Sequence, residues 1–137
     1  MTNQYIFEID RNLNSEVLRK LFTQVDWAAD RKTRDIEMML SETTFQISAW
    51  NGNELIGFLR VLTDKAYRAF IEDVIVDYRF QSKGVGKKLI ELALIELGQV
   101  NEIVLGCAEG NVSYYEQFGF ERVSYAYMQK SLPKRSN

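Results

Sequence analysis

The stretch Asp73-Val74-Ile75-Val76-Asp77-Tyr78-Arg79-Phe80-Gln81-Ser82-Lys83-Gly84-Val85-Gly86-Lys87-Lys88-Leu89 decides the fold: an apolar strand, a polar turn, then glycines opening a helix. Glycine lacks a Cβ and adopts positive φ readily. Backbone N–H groups can therefore converge on an anion where the helix also presents unpaired donors and its positive dipole end. The segment predicts a phosphorylated ligand. Its spacing is neither the P-loop pattern G-x-x-x-x-G-K-[ST] nor the dinucleotide fingerprint G-x-G-x-x-G.

Working outward, Ala69 to Val76 is the strand entering the turn and Gly86 to Leu97 the helix leaving it. Leu89, Leu92, Ala93 and Leu97 face inward at helical spacing, and Lys87 pairs with Glu91 outward at i,i+4. Upstream, Phe45 to Trp50 and Glu54 to Leu62 flank Asn51-Gly52, a strong hairpin signal, and should pair antiparallel. Tyr5 to Asp10 reads as a first strand. Val17, Leu18, Leu21, Phe22 and Val25 then recur at helical spacing behind a cap at Asn14 or Ser15. A shorter helix follows Thr33, with Ile36, Met39 and Leu40 on one face. Downstream, Glu102 to Cys107 is a strand, Asn111 to Phe118 a short helix that Gly119 ends, and Arg122 to Lys130 a last strand closing the sheet. The tail from Pro133 should fray.

The chain of 137 residues, 46% of them apolar, is expected to form one domain over 1–137 with no second domain. A net charge of −2, with lysines and arginines scattered among acids, gives no reason to expect nucleic acid. No apolar run approaches the roughly 20 residues that span a bilayer, and the first residues lack signal-peptide character. No membrane partner and a cytoplasmic location are expected. The complete absence of histidine removes Ser-His-Asp and Cys-His nucleophile systems and the usual zinc ligand sets, so no metal is expected. Cys107 follows the apolar run Ile103-Val104-Leu105 and reads as buried filler rather than a nucleophile.

Gln81-Ser82-Lys83-Gly84-Val85-Gly86 after Val74-Ile75-Val76 is Gln-x-x-Gly-x-Gly after a strand, and it resembles motif A of the GCN5-related N-acetyltransferase (GNAT) family. In that family this loop holds the pyrophosphate of acetyl-CoA. Tyr115-Glu116-Gln117-Phe118-Gly119-Phe120 is similar to the family's Tyr-x-x-x-Gly-Phe motif. The element order β-α-α-β-β-β-α-β-α-β also matches, so the resemblance covers almost the whole chain. It implies an α/β protein with helices covering a mixed sheet, the acyl-CoA N-acyltransferase fold, with acetyl-CoA as cosubstrate. Glu72-Asp73 and Asn111-Val112 are weakly similar to glucosamine-6-phosphate N-acetyltransferases. The second basic pocket that a sugar phosphate needs cannot be assigned to Arg60, Arg68 or Arg79.

The resemblance also implies roles residue by residue. A bulge in the fourth strand would splay it from the fifth, leaving the main chain of Val74, Ile75 and Val76 to pair with pantetheine. Gln81, Ser82, Lys83, Gly84, Val85, Gly86 and Lys87 would hold the diphosphate, although Lys83 and Lys87 read equally as solvated charges. Tyr115 would protonate the departing thiolate, its alternative being a core aromatic. Asn111 is either a pantetheine contact or only a helix cap, and family members with Asn seven residues before the tyrosine have their equivalent at Ala108 here. Glu72, on the face of Val74 by strand alternation, is the candidate base, acting through water, or else a structural charge. Asp73 points the other way and reads as a turn tie or solvated edge. The connection Val25 to Lys32 would wall the acceptor site, with Trp27 offering a flat face and Asp26 and Asp30 attracting an ammonium; the alternative makes Trp27 a plug over the core.

These readings converge on direct acetyl transfer from acetyl-CoA to a primary amine of a small molecule, without an acyl-enzyme. A protein or peptide N-acetyltransferase and a non-catalytic acetyl-CoA sensor are the alternatives. The acceptor's identity and the oligomeric state, a homodimer included, stay open at this stage.

Overall fold

The computed structural model describes residues 5–133. The chain divides into two compact units, Met1–Gly106 and Cys107–Asn137. In the first, a five-stranded sheet is built from β1 (Ile6–Ile9), β2 (Phe45–Asn51), β3 (Glu54–Thr63), β4 (Arg68–Val76) and β5 (Glu102–Val104), in that spatial order. The pairs from β1 to β4 are antiparallel, and β4 pairs with β5 parallel. Helices α1 (Ser15–Phe22) and α2 (Thr33–Glu42) precede β2, and α3 (Val85–Leu97) forms the crossover from β4 to β5.

Local chemistry accounts for the element boundaries. Asn14 caps α1, its Oδ1 accepting from the N–H groups of Glu16 and Val17 at 2.9 and 3.1 Å. Gly52, at φ +62, turns β2 into β3 as expected. The β3–β4 turn carried no such cue, yet the Asp64 carboxylate organises it by accepting from the N–H groups of Ala66, Tyr67 and Arg68.

All of Phe45–Trp50 is buried because helices cover both faces of the sheet. On one face Leu18, Leu21 and Phe22 of α1 and Ile36 of α2 pack with Trp50, Leu55, Phe58 and Ile75. Each such side chain contributes about 1.5–3 kcal/mol of transfer free energy. On the other face Val85, Leu89, Ile90 and Ala93 of α3 are buried, and α3 approaches β3 most closely over Gly57. Val17, expected inside, is exposed, because α1 turns its Leu18–Leu21–Phe22 stripe to the sheet. Ile90 is buried in addition to the expected stripe, whereas Leu92 is only half-buried.

The second unit holds a 3-10 turn (Glu109–Asn111) and α4 (Val112–Glu116), followed by Gly119 at φ +94. Tyr114, Tyr115, Phe118 and Phe120 contact one another edge to face, and Arg122 pairs with Glu109.

Two strand expectations need correction. β5 stops at Val104 instead of reaching Cys107, and among the described residues 122–130 form no strand. The observed order therefore lacks the final β. Alternation in Val123, Tyr125 and Tyr127 supplies β propensity, but propensity makes no strand without a paired neighbour, and these side chains are exposed. Cys107, expected to be buried, is exposed, because the strand that would have carried it inward has already ended. The tail expected to fray lies, from residue 134 on, outside the described residues.

Candidate active site

The site begins with an irregularity in β4. Phe58 faces Ile75 and Arg60 faces Glu72, so Leu59 alone stands opposite Asp73 and Val74: a β-bulge. Asp73 takes φ +56, the left-handed conformation that glycine usually occupies in such a bulge. On its other side β4 pairs with β5 only through Arg68, Ala69 and Phe70. Beyond Phe70 that edge of β4 has no strand partner among the described residues. The Asp77 N–H donates to the Ile56 carbonyl on β3 at 2.8 Å. Counting back by strand alternation, the main-chain groups of Val76 and Val74 face away from β3, along the open edge, and those of Ile75 face β3. Ile75 therefore lacks the outward main-chain placement expected of it.

The loop after β4 is held to the strand at each end. Asp77 caps a 3-10 turn (Tyr78–Phe80), accepting from the Arg79 N–H at 2.9 Å. Arg79 side-chain hydrogen bonds hold its carboxyl below the usual aspartate range. Gln24, just past α1, donates to Asp77 at 3.2 Å and accepts from the Tyr78 N–H at 2.9 Å. Gln81 donates from Nε2 to the Val76 carbonyl at 3.2 Å, so this motif residue braces the loop against the end of the open edge.

Ser82 and Gly84 both have positive φ, +63 and +85. No local pattern marks the serine for that conformation, and Gly86 needs no positive φ. Gly84 is the N-cap of α3, and its carbonyl accepts the first helical bond, from the Lys88 N–H at 3.0 Å. The N–H groups of Val85, Gly86 and Lys87 thus precede the first intrahelical bond and remain available to a ligand. A Cβ added at Gly84 would meet no atom within 4 Å. Open space, free donors and the positive end of a 13-residue helix fit a diphosphate. Lys83 and Lys87 are exposed beside the loop.

Glu72 is half-buried, and burial pushes its carboxyl above the usual range, partly offset by the Arg60 guanidinium. Asp73 corrects the expectation of a solvated edge: it is buried, accepting from Arg31 Nη1 at 2.8 Å, Arg31 Nη2 at 3.2 Å and Arg60 Nε at 2.6 Å. Alternation does turn it away from Glu72 and Val74, but onto the buried face of β4, where the two arginines partner it. All three arginines considered for a phosphate pocket are already engaged: Arg68 with Glu102, Arg79 with Asp77 and Glu54, and Arg60, which faces Glu72 on the neighbouring strand, with Asp73.

In the α1–α2 connection Trp27 is 55% exposed, not a plug over the core. Asp26 and Asp30 are also exposed. The residue there that sequence reasoning did not single out is Arg31, which holds Asp73. Its guanidinium carbon lies 5.0 Å from the Phe22 ring centroid and 5.8 Å from that of Trp27. A polar cavity of about 630 Å3 between α2 and the β1–α1 connection contains none of the candidate residues.

In the second unit, Tyr115 is half-buried. Burial, with smaller contributions from Tyr114 and Cys107, pushes its phenol up to about 12. It is therefore fully protonated at neutral pH, as an acid must be. Asn111 stands at the N-cap position of α4 without a side-chain capping bond.

A strand edge opened by a bulge leads into a glycine-capped helix terminus whose free N–H groups can receive an anion. The family model described as Acetyltransferase (GNAT) family matches residues 11–120, and the chain belongs to that family. An uncharacterized N-acetyltransferase of Pyropia yezoensis is 29% identical over 117 residues, covering 81% of this chain and 67% of the relative. A histone acetyltransferase of Glycine max is 41% identical over 75 residues, 51% of this chain and 32% of its own length. Among solved structures, a GNAT-family acetyltransferase of Streptococcus pneumoniae has TM-score 0.82 at 22% identity, covering 96% of this chain and 100% of that one. At such identity the likeness concerns the fold. The chain spans about two thirds or less of the length of these curated relatives.

Proposed function

We propose that this chain transfers the acetyl group of acetyl-CoA directly to the primary amine of a small molecule. The observation carrying the reading is the continuity, within one compact unit, of the open β4 edge and the glycine-capped terminus of α3. The cosubstrate supplies a thioester whose carbonyl is open to attack by a neutral amine. In this reading the main chain of Val74 and Val76 aligns the pantetheine arm as an added strand, and an N–H of that edge faces the acetyl oxygen as it gains charge. The loop from Gln81 to Lys87 grips the diphosphate. Glu72, its carboxyl raised above the usual range by burial, receives, through water, the proton the amine must lose. The C–N bond forms, the C–S bond breaks, and Tyr115 gives the thiolate its proton. Asn111 serves as a further contact to the arm. We further propose that 1–137 acts as one domain, that no metal takes part, and that the protein works in the cytoplasm.

The direct route rests on the absence of histidine, because the exposure of Cys107 removes burial as an argument against its thiol. Thiol release from acetyl-CoA across a panel of arylalkylamines, polyamines, amino sugars and peptides tests the reading. Small amines giving saturable release support it. Binding without release from any member would make the protein a sensor, and acetylated protein accumulating on rapid mixing would overturn the direct route. The histone acetyltransferase relative favours a second reading, a protein or peptide acceptor, which release with peptides alone would establish.

A further inference from the structure

Asp73 occupies a costly position twice over. Aspartate tolerates the left-handed region less well than glycine, and a carboxylate buried to 3% side-chain exposure must be fully partnered. Glycine would remove the first cost, so keeping aspartate there gives the carboxylate a use. Its partners are distant in sequence. Arg60 comes from β3, and Arg31, 42 residues upstream, comes from the α1–α2 connection and grips both carboxylate oxygens as a fork. The same guanidinium lies over Phe22 of α1, beside Trp27 and 3.7 Å from Met39 Sδ on α2. One side chain thus touches both helices, the connection between them and the bulge.

We propose that Asp73 is a positioning residue: through Arg31 it clasps the α1–α2 connection to the β4 bulge, and so sets where an acceptor amine on that connection stands relative to the acetyl-bearing edge. This rests on the reading of β4 as the cosubstrate edge and of Trp27 and its neighbours as the acceptor wall. Arg60 completes the clasp and keeps the carboxylate neutralised. The charged groups around Glu72 are then Arg60 from β3, Arg31 from the connection and Asp73 itself, so the clasp also sets the field in which the base titrates.

The test uses Asp73→Gly, which accommodates the left-handed backbone and deletes only the carboxylate, alongside Asp73→Asn, which keeps the shape without the charge. Trypsin cleavage after Arg31 and Lys32 in the folded protein reads the connection directly, and both variants should be nicked at least about tenfold faster than the parent. With the amine that the parent acetylates, acceptor KM should rise about tenfold while the Kd for CoA stays within about twofold. Arg31→Lys, which keeps the charge but loses the fork, should fall between. Equal nicking together with unchanged acceptor KM in variants that still turn over would overturn the clasp. Faster nicking in a protein whose parent binds no CoA would instead sink the acetyl-transfer reading and leave the tether standing.

Discussion

Replacing Gly84 by alanine isolates the phosphate cradle from the rest of the fold. The residue sits at φ +85, and an added Cβ would meet no protein atom within 4 Å, so the folded protein pays only for conformation. An L-residue in the left-handed region costs roughly 1–2 kcal/mol, partly offset by about 0.4–1 kcal/mol from the stiffer unfolded chain. The net loss is about 1 kcal/mol, a fall of about 3–5 °C in Tm for a chain of this size. Binding should suffer more, because the methyl group stands in the open space assigned to the diphosphate.

A tenfold weaker Kd is visible in ligand-dependent melting. At CoA equal to about 100 times the parent Kd, the parent gains about 2.7 kcal/mol, or about 8–13 °C. At that concentration the variant gains about 1.4 kcal/mol, roughly half the shift. Gly84→Asn discriminates further. Asparagine tolerates the left-handed region, so intrinsic Tm should recover, yet its larger side chain should keep the ligand shift small. Calorimetric titration with CoA gives Kd independently. An alanine variant with lowered intrinsic Tm and an undiminished CoA shift would show that the diphosphate lies elsewhere.

Other variants address the remaining parts. Gly57→Ala places a Cβ 3.1 Å from Val85 Cγ1, 3.2 Å from the Ala49 Cβ and 3.3 Å from Leu89 Cδ1. Overpacking of this kind costs about 1–3 kcal/mol, so denaturant melts should show a lower midpoint with unchanged m. Tyr115→Phe should lower kcat and spare CoA affinity; unchanged turnover would remove its role as acid. With its phenol pushed up to about 12, Tyr115 should cause no fall in the parent's rate between about pH 8 and 10, which pH-rate profiles can check. Glu72 has a folded value raised above its unfolded one, so its ionised form penalises the folded state above that value, and the penalty vanishes below the unfolded carboxylate range near about 4.3. Glu72→Gln should therefore melt higher than the parent at neutral pH, match it in acid, and lose turnover.

What the sequence disclosed was what depends on neighbours in the chain. The Asn51-Gly52 hairpin, the Asn14 cap, the inward stripe of α1 and the strand–loop–helix around Gly84 each follow from residues a few positions apart. The missed features depend on distant partners or on backbone conformations that side chains do not announce. Asp73 meets Arg31 and Arg60 across 42 and 13 residues. The family resemblance implies a bulge in β4, but nothing in Glu72-Asp73-Val74 itself signals one, or the arginines that partner a buried Asp73. Tyr125 and Tyr127 have the composition of a strand, but pairing decides whether one forms, and no local pattern encodes the early end of β5.

Several costly features lie on the segment that carries the candidate site. Between Glu72 and Gly84 the chain holds a half-buried carboxyl pushed above its usual range, a buried aspartate at positive φ and two further positive-φ residues, Ser82 and Gly84. Elsewhere in the first unit, positive φ at a non-glycine residue occurs at Asp10 and Lys65, both in connections between elements, so among the described residues β4 is the strand that carries one within its length. Stability alone gives no reason to concentrate strain on the strand whose outer edge lacks a partner. If the bulge exists to open that edge, straightening it should stabilise the protein while closing the site. Deleting either Asp73 or Val74 restores one residue opposite Leu59 and continues the β3–β4 ladder. The shortened protein should fold, because Phe58–Ile75 and Arg60–Glu72 keep their partners, and should lose CoA affinity, since a β4 without the bend of the bulge no longer turns its outer edge away from β5. CoA affinity surviving the deletion would mean that the open edge does not hold the cosubstrate.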